Sequence, residues 1–234
     1  MLSIGPERSI AMKQTAGQRR AESALKPLKK PPVKKSSAKN DSRDRMLEAA
    51  SVAFLTGGFH SIGVAEICTN ANVRKGTFYH FFPSKTDLLL EVIELHVQKV
   101  EEAIGAVSQS KITPARKIIR LFTMAHLQSD AAVSSGPLPG YFLGNLVLEL
   151  ASSTPSVQLS AKAAFDRWNS AIKPIAEQFL NDEGLQSLDA EGVADTILGL
   201  LQGGLVMASA YNDPRKMRAF GHLALTLLRA SDNP

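Results

Sequence analysis

The chain has a single cysteine, Cys68, among 234 residues. An internal disulfide framework and a cysteine-rich zinc site are both excluded on that count. Aromatic residues are scarce at 6% while hydrophobic residues reach 44%, with Leu and Ala abundant, a balance that favours helices. No run approaches the roughly 18 uninterrupted apolar residues of a membrane helix, and no sustained apolar stretch follows the N-terminal charges. A cytoplasmic protein is therefore expected. Strand-like alternation bounded by hairpin signals is missing too, as are a phosphate-cradling glycine loop, a nucleophile–base–acid set and a metal-ligand cluster. No catalytic residue, cofactor or metal is assigned on these grounds, and an enzyme is not expected.

What is present is concentrated in residues 64–89, VAEICTNANVRKGTFYHFFPSKTDLL. Val64, Ile67 and Ala71 share one face at spacings of three and four, as a small helix packed on a core requires. Gly63 precedes them where a cap belongs, and Asn72 stands where a turn needs φ > 0, a conformation Asn tolerates. A second short helix, Arg74 to His80, has Phe78 as its anchor and turns Arg74, Lys75, Thr77, Tyr79 and His80 outward. Gly76 lets a backbone approach closely. Arg74 opposes the dipole at the start of that helix, so an outside anion such as a DNA phosphate, or a guanine edge, would rationalise it. Pro83 ends the aromatic run, and Ser84 with Asp87 three residues on forms a relative of the capping box for a third helix. Lys85 at its start can reach another phosphate. Phe54, Phe59, Ile67, Phe78 and Phe82 are expected in the core. His80 has no second ligand at metal spacing beside it and reads as a phosphate contact.

Here the chain resembles the TetR family of bacterial transcriptional regulators, through Gly76, Phe78, Tyr79, Phe82, Ser84, Lys85 and Leu88. The upstream stretch RDRMLEAASVAFLTGGFHSIGV, residues 43–64, is similar to that family's first helix and its Gly-Phe turn. Three positions depart from the pattern. A small hydroxyl residue usually stands where Ile62 or Gly63 lies, and Asn72 and Arg74 stand where Gly and Ser are common. These changes should alter the DNA sequence read more than the fold.

Residues 1–40 hold ten Lys or Arg against two Glu, a net +8 in a chain of net +5, which leaves −3 for the rest. Rich in Lys, Pro and Ser without periodicity, this segment has the composition of a disordered basic tail. Ahead of a DNA-binding helix it would add phosphate contacts or enter the minor groove; a solvated leader is the plainer alternative.

Beyond residue 107, long apolar-periodic segments open at Pro114, Tyr141, Pro155, Ala190 and Pro214, with Gly184 following one that ends. The stretch from Leu138 to Trp168 is similar to family members of the acrylate- and N-ethylmaleimide-responsive type through Gly140, Gly144 and Asn145, with Tyr141 where those proteins have cysteine. A thiol-based electrophile sensor is therefore not expected. Residues 195–211 and 217–230 are apolar around most of their circumference, more than a helix exposed on one side sustains. The resemblance implies that they form a four-helix dimer interface, with Gly199, Gly203 and Gly204 permitting close approach. It also implies an effector cavity, for which Phe122, His126, Phe142, Trp168 and Ile172, with Asn145 and Gln202 as polar contacts, are nominated.

The expected architecture is all-α, about nine helices: a basic tail (1–40), a three-helix helix-turn-helix domain (41–86) and a helical ligand-binding and dimerisation domain (87–230). The expected function is a homodimeric regulator, a repressor, bound to a palindromic double-stranded DNA operator and released by a small-molecule effector. A helical ligand- or protein-binding dimer whose tail holds DNA without sequence preference is the alternative.

Overall fold

The three- and four-residue spacing of apolar side chains is answered by nine α-helices and no strand among the described residues. In this computed structural model those residues are 38–133, 142–213 and 215–231. The basic tail to residue 37, Gly140, Tyr141, Pro214 and the side chain of His126 lie outside them. The helices are α1 (Ala38–Ser61), α2 (Val64–Asn70), α3 (Lys75–Phe81), α4 (Lys85–Ser108), α5 (Pro114–Val133), α6 (Phe142–Leu150), α7 (Pro155–Glu183), α8 (Ala190–Tyr211) and α9 (Lys216–Ser231). α1 is broken at Gly58, whose φ of 75° and ψ of 171° are not helical.

Helix ends follow the local chemistry. Ser84 Oγ accepts the Asp87 N–H at 3.2 Å and donates to the Asp87 carboxylate at 2.7 Å, fixing the start of α4. Asp189 accepts the Gly192 N–H at 2.8 Å and does the same for α8. Pro155 opens α7, and Gly184, at φ 70°, closes it. Asn72 takes φ 52° in the turn after α2. α2 itself is capped by Gly63, which has no side chain to offer its free N–H groups.

α1, α2 and α3 pack together around Met46, Ala50, Phe54, Ile67, Phe78 and Phe82. Phe59, expected in this core, is partly exposed at its edge because the backbone breaks beside it at Gly58. Cys68 is buried, and desolvation holds its thiol above the ordinary pKa although Lys75 pulls the other way. It packs as a small hydrophobe rather than offering a thiolate. α4 meets α1 and then runs along α7. Arg167 of α7 pairs with both Glu94 and Glu101 of α4 along that seam. These pairs are half exposed, so they align the two helices more than they stabilise them.

α8 rests on α7 and α9. By length and composition it could cross a membrane, with 33% of its most apolar window buried in this chain. Val206, Met207 and Tyr211 of α8 and Leu223 and Leu227 of α9 remain exposed. Gly204 does not face that surface. A Cβ there would sit 2.8 Å from Met217 Sδ, so this glycine serves the contact between α8 and α9, whereas Gly199 and Gly203 border open space.

The bare cap of α2 makes a prediction. Gly63 has φ −91° and ψ 154°, which any residue adopts, and a Cβ there meets nothing within 4 Å. Gly63→Ser should stabilise the protein by about 0.5 kcal/mol through a hydroxyl cap and a less mobile unfolded chain. The melting midpoint should rise by about 1–2 °C; an unchanged or lower midpoint would show that the α2 amides gain nothing from a cap.

Candidate functional site

α3 turns four of its seven residues to solvent. Its anchor, Phe78, is fully buried and lies 5.7 Å from the ring of Phe82. With that side pinned, Arg74, Lys75, Gly76, Tyr79 and His80 are exposed and Thr77 is half-buried beside them. Arg74 occupies the N-cap in extended conformation without a side-chain cap bond. Among the described residues, the side chains of Arg74, Lys75 and Thr77 have no hydrogen-bond or ion-pair partner within the chain. The result is one short helix face with two permanent cations, a hydroxyl, a phenol and an imidazole, all available to an anionic partner.

The turn beneath this face is held by Arg45 of α1, whose Nε donates to the Ala71 carbonyl at 3.0 Å, at the end of α2. A guanidinium suits the carbonyl-rich end of a helix. Lys85, expected to reach outward, does otherwise. Its Nζ donates to the carbonyls of Phe59 and Ile62, at 2.8 Å each, and lies 4.1 Å from the Phe59 ring centroid. Burial lowers its pKa, with Glu149 pulling in the opposite direction. Two of its three donors are spent inside the head because the break after Gly58 exposes carbonyls that need partners.

A cavity of about 90 Å³ opens between α4, α5, α6, α7 and α8. Phe142, Trp168, Ile172 and Gln202 line it as anticipated, together with His96, Val100, Ile104, Met124, Leu143 and Leu201. Phe122 does not. It is buried against α9, where Gly221 leaves room for it. Asn145 is exposed, since the buried positions of α6 are Phe142, Leu143, Gly144, Leu146 and Leu150 and its side chain falls outside that arc. His96 was missed, although it continues the apolar stripe of α4 between Val92 and Val100, a position that a histidine occupies for a reason. Its ring meets Phe142 at 5.2 Å and Trp168 at 6.0 Å, both edge-on. Trp168 Nε1 donates to the Val97 carbonyl at 3.3 Å, which satisfies the indole and fixes its plane. Burial lowers the pKa of His96 to about 4, and the charge of Lys99 acts in the same direction. The imidazole is therefore neutral near pH 7, with one donor and one acceptor.

Comparison with known proteins addresses the two parts of the chain that carry these sites. Residues 46–92 match the profile of bacterial regulatory proteins of the tetR family, and residues 118–222 match the C-terminal domain of LmrA/YxaF-like transcriptional regulators. The chain belongs to the TetR family. It is a DNA-binding transcription regulator with a helix-turn-helix formed by α2 and α3. The HTH-type transcriptional regulator YxaF of Bacillus subtilis is 24% identical over 178 residues, 76% of this chain and 90% of that protein. The crystal structure of reduced NemR from Escherichia coli superposes with a TM-score of 0.70 at 19% identity, over 79% of this chain and 95% of that one. A TetR-family regulator from Cytophaga hutchinsonii gives 0.72 at 17% identity, over 84% and 98%. At these identities the two structures establish the fold.

In this TetR-family regulator the desolvated imidazole of His96, half-buried at the cavity wall, makes stability depend on pH. The folded pKa of His96, about 4, is below the ordinary 6.5. As pH falls through 6.5 the unfolded chain takes up a proton that the folded chain refuses. The stability linked to His96 is thus complete above 6.5 and is lost between 6.5 and about 4. Relative to His96→Gln, the wild type should lose roughly 2–3 kcal/mol more between pH 7 and pH 4. Urea unfolding at a series of pH values measures this; parallel pH profiles for the two proteins would place the imidazole in contact with water.

Proposed function

We propose that this regulator is a homodimeric repressor that binds a palindromic operator and releases it when a small, largely apolar and uncharged molecule enters the cavity beside Trp168. The observation that carries the DNA half is the α3 face, where cations and hydrogen-bonding groups stand exposed on a helix anchored by Phe78, with Phe81 packed at the core's edge. Arg74 and Thr77 are assigned to base edges, since Arg bridges guanine O6 and N7 and Thr meets a thymine methyl. Lys75, Tyr79 and His80 hold the backbone, and Gly76 admits its close approach. Lys85 contributes by keeping the head in shape, with at most one donor left for phosphate. The tail, residues 1–40, adds contacts that do not depend on sequence.

The exposed apolar residues of α8 and α9 support the dimer. Val206, Met207, Tyr211, Leu223 and Leu227 would be costly to leave in water, and a second copy covers them symmetrically. Two recognition helices can then sit one turn of the duplex apart, about 34–36 Å. A protein working on chromosomal operators in this way acts in the cytoplasm, and no catalytic step is needed.

The character of the effector follows from the described lining. Aliphatic and aromatic side chains dominate, with neutral His96 and Gln202 as polar groups, and a charged ligand would lose its hydration without an opposing charge among them. Trp168 is the chain's single tryptophan, so its fluorescence reports directly on occupancy.

The test is affinity selection of random duplex DNA at near-physiological salt, with the full chain and with a chain lacking residues 1–40. Both should enrich one palindrome, with a specificity ratio of roughly 10³ or more over random sequence. Arg74→Ala should cost about 1–3 kcal/mol on that operator and relax preference at one base pair of each half-site. Retention of DNA by the full chain alone, with no sequence enriched, would favour the rival in which a helical dimer uses its tail non-specifically.

A further inference from the structure

α6 touches both sites. Its first turn gives Phe142 and Leu143 to the cavity wall, and its last turn carries Glu149. One carboxylate oxygen of Glu149 accepts the Phe59 N–H at 3.0 Å and the other accepts the His60 N–H at 2.8 Å. Those amides are the free donors of the short turn that restarts after the break at Gly58, and a carboxylate is the partner such donors favour. Gly58 is fitted to the contact. Its φ is +75°, and a Cβ there would lie 3.1 Å from a Glu149 oxygen, so a side chain would be strained twice over. Lys85 holds the same segment by its carbonyls at Phe59 and Ile62. The five residues Gly58 to Ile62 are thus gripped through N–H groups from α6 and through C=O groups from α4, and the next residue, Gly63, caps the first helix of the DNA-reading pair.

We propose that Glu149 is a positioning residue that couples the cavity to the DNA-binding head: a ligand that displaces Phe142 shifts α6, and Glu149 carries the shift to the segment from which α2 and α3 start. Seven residues separate the two ends of this lever, about 10 Å of helix, short enough to move as one body. Hydrogen bonds of 2.8 and 3.0 Å are lost by a displacement of about 1 Å, so a small movement at the cavity changes the grip on the head. The inference rests on the regulator reading for its effect on DNA; the mechanical link between Phe142 and the Phe59 and His60 amides does not.

A double-mutant cycle on the full chain tests it, comparing wild type, Phe142→Leu, Glu149→Gln and the double variant. Hydrogen exchange is read at the amides of Phe59 and His60, with Trp168 fluorescence as the control for an intact cavity. Glu149→Gln should speed exchange at both amides by about tenfold or more. Phe142→Leu should change it by about threefold when Glu149 is present and not at all in the Gln background. Equal effects of Phe142→Leu in both backgrounds, or none in either, would reduce Glu149 to static glue and overturn the proposal. Should Glu149→Gln fail to fold, Gly58→Ala breaks the contact from the other side and takes its place in the cycle. Operator affinity, measured on the same four proteins, should show the same non-additivity. If no operator can be selected, the regulator reading fails while the exchange cycle still decides the coupling.

Discussion

Backbone groups freed at helix breaks must find partners, and in this molecule that requirement organises the DNA-binding head. Three charged side chains meet it: Arg45 on the Ala71 carbonyl, Lys85 on the carbonyls of Phe59 and Ile62, and Glu149 on the amides of Phe59 and His60. An unpaired backbone group costs more than a net hydrogen bond contributes, so Arg45 and Lys85, which lie within the head, are committed to its fold. What remains uncommitted is the α3 face. Division of labour between the two sets of charges is what lets a seven-residue helix present Arg74 and Lys75 outward without the head losing its shape.

Much of this was legible from local pattern. Periodicity of 3.6 gave the helices, and capping chemistry gave their limits at Ser84, Gly63, Pro155 and Gly184, because both signals are carried by residues within a turn of the feature they specify. Asn72 was readable for the same reason. Lys85 was not, since the carbonyls that claim it are more than twenty residues away and are exposed only by the break at Gly58. Glu149 acts across some ninety residues and looks in sequence like any solvated helix charge. The cavity divides along the same line. Phe142, Trp168 and Ile172 lie on the inner faces of their helices, and Phe122 does too, but which inner face meets a void rather than a neighbour depends on packing between helices. In the same way Gly204 resembles its neighbours Gly199 and Gly203 until Met217 is placed against it.

The two ends of the molecule solve opposite electrostatic problems. Outside residues 1–40 the chain carries a net charge of −3, so the DNA contact we propose rests on the local charges of α3 and of residues 1–40, not on a field of the whole body. The described lining of the cavity, in contrast, carries no charge. Its imidazole is held neutral by burial, and the ion pairs from Arg167 to Glu94 and Glu101 lie on the half-exposed seam of α4 and α7. The neutral ligand we propose would therefore enter without disturbing the charges that align those helices.

The coupling we propose between the sites asks for only a modest free energy. Allosteric coupling free energies run to about 1–3 kcal/mol, and a hydrogen bond to a charged group contributes about 1.5–3 kcal/mol. A ligand shifts an equilibrium only by its differential affinity for the two states. One carboxylate holding two amides is a contact of the required size, made in the arrangement of α6 seen here and lost in the shifted one we propose. Interactions spread evenly along the α4–α7 seam would instead have to change in concert. This is why a lever ending in Glu149 suits a protein whose head is otherwise tied down by charges that cannot be released without unfolding it.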